Sequence, residues 1–103
     1  MKILTVIITR GPEKGKTFFV AEESSVLIGR DETADIKLEN DTHVSRKHAI
    51  ISFTAEGAAF ITDLNSTNGT ILNKYPVKGK MPIKEGDIIT IGYTDMKITI
   101  KTE

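Results

Sequence analysis

Apolar residues in this chain come in short runs rich in isoleucine and valine, and each run breaks after a few residues at Gly, Asn, Asp or Pro. Such runs predict β-strands, because β-branched side chains suit a pleated surface and the interrupting residues accept the dihedrals of tight turns. Strands are expected over residues 2–9, 17–20, 26–29, 36–38, 49–53, 59–63, 70–72, 77–83, 88–91 and 97–101. The last of these shows its faces directly: Met96, Ile98 and Ile100 alternate with Lys97, Thr99 and Lys101, so one side is apolar and the other polar. Turn chemistry marks Gly11-Pro12 through Gly15, Glu56-Gly57, Asn73-Lys74 and Glu85-Gly86-Asp87. No segment carries a convincing helical period. Many short strands in one small chain imply an all-β sandwich or barrel.

Two connections depart from this hairpin spacing. Residues 39–47 and 64–69 are dense in hydroxyl, amide and charged side chains and hold little that could be buried. Polar loops on a rigid β scaffold are where binding residues usually sit. No internal repeat, low-complexity tract or linker interrupts the chain, and 103 residues is near the commonest size for one domain, so a single domain over residues 1–103 is expected.

Charge narrows the function classes. Fourteen basic and fourteen acidic residues cancel, so no global field draws in nucleic acid or an anionic membrane, and anion binding has to come from a local cluster. The chain has no cysteine, which excludes disulfides and thiolate zinc sites and makes a cytoplasmic setting the simplest expectation. The apolar run at residues 1–8 contains Thr5 and meets Arg10-Gly11-Pro12 rather than a small-residue cleavage site, so it reads as a first strand and not a signal sequence. Nothing approaches the length of a membrane-spanning helix. Asn-x-Thr sequons at Asn40, Asn65 and Asn68 read as turn chemistry rather than glycan acceptors.

Three clusters punctuate the strands: Gly29-Arg30, Ser45-Arg46-Lys47-His48, and Asn65-Ser66-Thr67-Asn68-Gly69-Thr70. Singly, each has an ordinary explanation. Gly29-Arg30 reads as a strand end with a solvated arginine, Asn68-Gly69 as a hairpin turn, and His48 as a hydrogen-bonded structural histidine. Together they supply what a phosphate monoester requires: a guanidinium for its charge, hydroxyl and amide donors for its oxygens, and loops that expose backbone N–H groups.

Their order and separation resemble the forkhead-associated (FHA) family, whose signature is Gly-Arg after an early strand, Ser-x-x-His after a loop, and Asn-Gly in a later loop. Ile36-Lys37-Leu38, the segment Asp63-Leu64-Asn65-Ser66-Thr67-Asn68-Gly69-Thr70, and Gly86-Asp87-Ile88-Ile89 with Ile91-Gly92 extend the likeness over almost the whole chain. The resemblance implies a two-sheet β-sandwich of about eleven strands with the binding loops at one end. A break near Gly79 in the 77–83 run would supply the eleventh strand. It also implies a non-enzymatic module that binds phosphothreonine-containing protein segments in Ser/Thr kinase signalling, with no cofactor, metal, nucleic acid or membrane among its partners. In that scheme Arg30 and Ser45 contact the phosphate, Arg46 assists, Thr67 adds a donor, and Asn68 holds the peptide backbone. Gly29, His48 and Gly69 support the loops, Gly29 by allowing close backbone approach. His43 falls loosely where the family tunes selectivity for the third residue after the phosphothreonine.

Other readings use the same residues. Ser45, His48 and Asp63 have the types of a hydrolytic set, although the Gly-x-Ser-x-Gly elbow is absent. His43 and His48 with Asp35 or Asp41 have the types of metal ligands. A phosphate-independent interaction domain using the same loops or a sheet face is the main alternative.

Overall fold

The computed structural model describes residues 1–102, which contain eleven strands. In chain order these are β1 (Lys2–Arg10), β2 (Thr17–Ala21), β3 (Ser24–Gly29), β4 (Ile36–Lys37), β5 (Ala49–Phe53), β6 (Ala59–Asp63), β7 (Ile71–Leu72), β8 (Tyr75–Pro76), β9 (Lys80–Ile83), β10 (Ile88–Ile91) and β11 (Thr94–Thr102). They form a six-stranded sheet in the order β2-β1-β11-β10-β7-β8 and a five-stranded sheet in the order β4-β3-β5-β6-β9. The expected all-β sandwich is the architecture found.

Strand alternation places the core between the sheets. Leu4, Val6 and Ile8 of β1, with Met96 and Ile98 of β11, turn inward from one sheet, and Ile28, Ala49, Ile51, Phe53 and Ile61 face them from the other. The β1–β11 pair forms the spine of the six-stranded sheet, with Val6 opposite Ile98 and Leu4 opposite Ile100. On β5, buried and half-buried residues alternate without a break.

Two expectations about strands need correction. The eleventh strand is Tyr75–Pro76 and is not cut from the 77–83 run, because Asn73, at φ 60°, turns the chain straight back onto β7 with Leu72 opposite Tyr75. Residues 77–79 then cross to the other sheet, and Gly79 accepts a bond from the Asp63 N–H at 3.1 Å. The last strand starts at Thr94, three residues earlier than the Lys/Ile alternation suggests, because Thr94 is fully buried and Thr90 pairs with Asp95 in register.

The strand ends that matter for function are those of β3 and β6 and the start of β5. The segment entering β5 crosses β3 so closely that Arg30 N–H bonds the Ser45 carbonyl at 3.2 Å and Asp31 N–H bonds the Arg46 carbonyl at 3.1 Å. Only glycine fits at position 29. A Cβ there would lie 1.9 Å from the Arg46 carbonyl oxygen, although Gly29 itself has a negative φ. Gly29→Ala is therefore expected to push the Ser45–Arg46 segment off β3 and to cost at least about 1–3 kcal/mol, the range for overpacking against atoms that cannot step aside. Thermal unfolding together with backbone amide shifts at residues 45 and 46 checks this, and a variant with native stability and unmoved shifts would contradict it.

Candidate functional site

The two polar connections are irregular throughout and meet at one end of the sandwich. Direct bonds join them. The Ser45 hydroxyl oxygen accepts the Thr67 N–H at 3.1 Å, and the Asn68 side-chain amide donates to the His43 carbonyl at 2.9 Å. Arg30 reaches the same place from the end of β3, its Nε donating to the Val44 carbonyl. Arg30, Ser45, Thr67 and Asn68 are thus brought together. Arg46 takes part through its backbone carbonyl, while its exposed side chain makes no bond among the described residues.

His48 holds the two loops together. It is fully buried, its Nδ1 accepts the Ser45 N–H at 3.0 Å, and its Nε2 lies 2.8 Å from the Gly69 carbonyl. A carbonyl can only accept and an amide N–H can only donate, so these partners select the neutral ring with its proton on Nε2. Its backbone is also tied on both sides, the N–H to the Ile28 carbonyl at 2.9 Å and the carbonyl to the Leu64 N–H at 2.9 Å. Asn68-Gly69 is accordingly no hairpin turn: Gly69, at φ 81°, belongs to a connection that passes from one sheet to the other.

Each loop is also built around a carboxylate whose part the sequence reading missed. Asp63, at the end of β6, accepts the Ser66 hydroxyl at 2.6 Å and the Thr70 hydroxyl at 2.7 Å on one oxygen, and the Ser66 N–H at 3.1 Å on the other. Burial works against its charge, yet the bonds from Ser66 and Thr70 prevail and hold its pKa below the usual aspartate value. Asp41 is 1% exposed and takes the Tyr93 N–H and the Thr94 hydroxyl, both at 2.8 Å, on one oxygen, while the other accepts the His43 N–H at 3.1 Å. Gly92 is needed beside it, because a Cβ there would come within 2.8 Å of the carboxylate. The available signals were the short Asp-x-His and Asp-x-x-Ser spacings, which suit side-chain bonds to a nearby backbone N–H.

These commitments determine what remains free. Asp41 and Asp63 are occupied by neutral donors, and among the described residues Arg30, Arg46 and Lys47 have no carboxylate within ion-pair distance. Ser45 receives a bond on its oxygen and keeps its own proton for an outside acceptor. The Arg30 terminal nitrogens, the Thr67 hydroxyl and the second Asn68 amide proton also have no recorded partner among the described residues. A set of donors of this kind can serve an anion with several oxygens. The hydrolytic arrangement is not formed, since both His48 nitrogens are held by backbone groups and neither meets the Ser45 hydroxyl. Among the described residues no three His, Asp or Glu side chains converge as metal ligands would. Asp35 instead caps the Leu27 N–H at 2.8 Å.

Comparison with known proteins identifies the family. The FHA domain family model matches residues 26–92, which include every one of these groups except Tyr93 and Thr94. The chain belongs to the FHA-domain family. It is 39% identical over 82 residues to the FHA domain-containing protein FhaA of Mycobacterium tuberculosis, covering 80% of this chain and 15% of FhaA. It is 36% identical over 88 residues to the glycogen accumulation regulator GarA of Mycolicibacterium smegmatis, covering 84% of this chain and 52% of GarA. The chain therefore spans well under two thirds of the length of these relatives. A solved structure from a structural and functional analysis of phosphothreonine-dependent FHA domain interactions superposes with a TM-score of 0.86 at 33% identity, covering 98% of this chain and 99% of that one. FHA domains are interaction modules, and no helix among the described residues is long and apolar enough to cross a membrane.

Two measurements probe how this FHA site is held. His48→Ala leaves the Ser45 N–H and the Gly69 carbonyl without partners inside the protein, so it should lower stability by at least about 2 kcal/mol and speed hydrogen exchange at Ser45. Denaturant unfolding with amide exchange checks this, and unchanged protection at Ser45 would contradict it. Asp63→Asn should cost about 1–3 kcal/mol at neutral pH. Because the native pKa is lowered, that stabilisation is complete above the ordinary aspartate value of about 3.9 and is lost as pH falls through the native one. The stability gap between wild type and variant should narrow steadily as pH falls below the ordinary aspartate value and the native carboxylate takes up its proton. A gap of the same size in acid would show that the Asp63 charge contributes nothing.

Proposed function

We propose that this FHA domain binds phosphothreonine-containing segments of other proteins and so makes an interaction conditional on a Ser/Thr kinase. One observation carries the reading: Arg30, Ser45, Thr67 and Asn68 are linked by hydrogen bonds across two loops, yet each keeps a donor with no partner among the described residues. A phosphate monoester near neutral pH brings almost two charges and three acceptor oxygens to such a set. Arg30 and Ser45 hold the phosphate, Arg46 adds charge from the rim, Thr67 contributes its hydroxyl, and Asn68 takes the peptide backbone. Gly29, His48 and Gly69 act indirectly by fixing the loops. The similar solved structure, from work on phosphothreonine-dependent FHA domain interactions, supports phosphothreonine as the ligand. The domain performs no chemistry and needs no cofactor or metal, and the lack of cysteine fits a cytoplasmic setting.

The test is calorimetry on one peptide carrying phosphothreonine, phosphoserine, glutamate or plain threonine at a single position. Phosphothreonine should bind tightest, by about 4-fold to 200-fold over phosphoserine, because a pocket shaped for the γ-methyl loses about 1–3 kcal/mol when left empty. Glutamate and threonine should bind negligibly. Arg30→Ala should cost about 2–5 kcal/mol, roughly 30-fold to several thousand-fold in affinity. Affinity should also fall as pH drops below about 6, where the second phosphate proton returns. Equal affinity for all four peptides would replace this reading with phosphate-independent interaction, and a folded Arg30→Ala variant binding within threefold of wild type would dismantle the proposed cradle.

A further inference from the structure

Each sheet of an open sandwich has two edges, and an edge strand with unpaired N–H and C=O groups invites another strand unless something blunts it. Three of the four edges here are blunted. β4 and β8 are two residues long, β8 ends in Pro76, and β9 carries Pro82 within its four residues. The fourth, β2, is five residues of Thr-Phe-Phe-Val-Ala with neither proline nor charge. Phe19 at its centre is 72% exposed on the outer face of the six-stranded sheet, opposite Thr5 of β1 and beside the half-buried Ile3 and Ile7.

The direction of the free groups follows from the pairing. The Ile8 N–H bonds the Lys16 carbonyl at 2.9 Å, so the antiparallel alternation turns Phe18 and Val20 toward β1. The N–H and C=O of Thr17, Phe19 and Ala21 face the open edge. We infer that this edge pairs antiparallel with β2 of a second copy of the chain, about a two-fold axis through Phe19.

In that register Phe19 faces its own counterpart as a hydrogen-bonded pair, and Thr17 faces Ala21 twice, giving about six backbone bonds between chains. Lys16 falls opposite Glu22, so no like charges oppose one another, and a chain of zero net charge carries no general repulsion against its copy. The two exposed Phe19 rings meet side by side on one face of a continuous sheet. A contact limited to one short strand is small, so the dimer is weak, with a dissociation constant on the order of 0.1–1 mM. The pairing residues Thr17, Phe19 and Ala21 are none of the loop residues Ser45, Thr67 and Asn68, so the dimer would present two FHA sites on one particle and strengthen binding to doubly modified or clustered targets.

Sedimentation equilibrium from about 0.02 to about 2 mM brackets that range. The wild-type mass should rise toward two chains, whereas Phe19→Lys, which sets two positive charges face to face, should weaken association at least about tenfold. Phe19→Lys should keep the native melting temperature and phosphopeptide affinity, because position 19 is exposed and lies outside the binding loops. A second arm uses the absence of native cysteine. Hydrogen-bonded antiparallel pairs stand about 5.5 Å apart at Cα, within disulfide reach, so Phe19→Cys should oxidise to a covalent dimer at least about tenfold faster than Tyr75→Cys on the opposite edge of the same sheet. A wild type that stays monomeric throughout, association that Phe19→Lys leaves intact, or equal oxidation at the two positions would each overturn the inference.

Discussion

The arrangement of this FHA domain's loop end depends on one buried imidazole. Loops 39–47 and 64–69 have few apolar groups to pack, so burial alone cannot set the distance between them. His48 sets it by bonding a backbone group of each loop with the two nitrogens of one rigid ring, Ser45 at Nδ1 and Gly69 at Nε2. The rest is built outward from that bridge. Gly29 lets the Ser45 segment lie against β3, where the amides of Arg30 and Asp31 take its carbonyls. The Ser45 hydroxyl can then receive the Thr67 N–H, and Asn68 can reach the His43 carbonyl.

The second constraint is electrical. A chain with equal numbers of acidic and basic groups could easily neutralise its own cations by ion pairing. Arg30, Arg46 and Lys47 nevertheless have no ion-pair partner among the described residues, and the two carboxylates that shape the loops are taken up by neutral donors. Asp63 is occupied by Ser66 and Thr70, and Asp41 by Tyr93, Thr94 and His43. Each negative charge thus stabilises a loop through neutral donors while Arg30, Arg46 and Lys47 remain available. Ion pairs form at Arg10 with Asp95, at Lys16 with Glu13, at Lys37 with Glu32 and Glu39, and at Lys84 with Asp87, and Asp95 and Glu13 both have pKa values held low by their partners.

Much of this was legible in the residue pattern, and what escaped has physical reasons. Strands such as β5 and β11 declare themselves because every second side chain enters the core. Tyr75–Pro76 does not, since both residues are exposed and a proline resembles a turn; only pairing with Ile71 and Leu72 makes it a strand. The motif residues could be named because their spacing is fixed by short loops. The part of Asp63 left only a weak local trace, since its partners Ser66 and Thr70 are close along the chain, while that of Asp41 could not be named because an aspartate in a polar loop looks solvated until the fold brings up its partner. For Asp41 that partner is the β10–β11 turn, more than fifty residues away along the chain. No local period records such a contact.

The same bonds explain why exposed loops can serve a binding site at all. A flexible donor loses rotamer and backbone freedom when a ligand captures it, and that loss commonly consumes much of the contact energy. Here the side chains of Ser45, Asn68 and Arg30 are each already held by one hydrogen bond inside the protein, and the backbone of Thr67 is held by Ser45. Only their remaining donors face outward. The ordering of these groups therefore takes place during folding, supported by a core that runs the length of both sheets. A multiply charged ligand bound here, as proposed, would meet donors that need little rearrangement, and the affinity of each contact would be reduced correspondingly less.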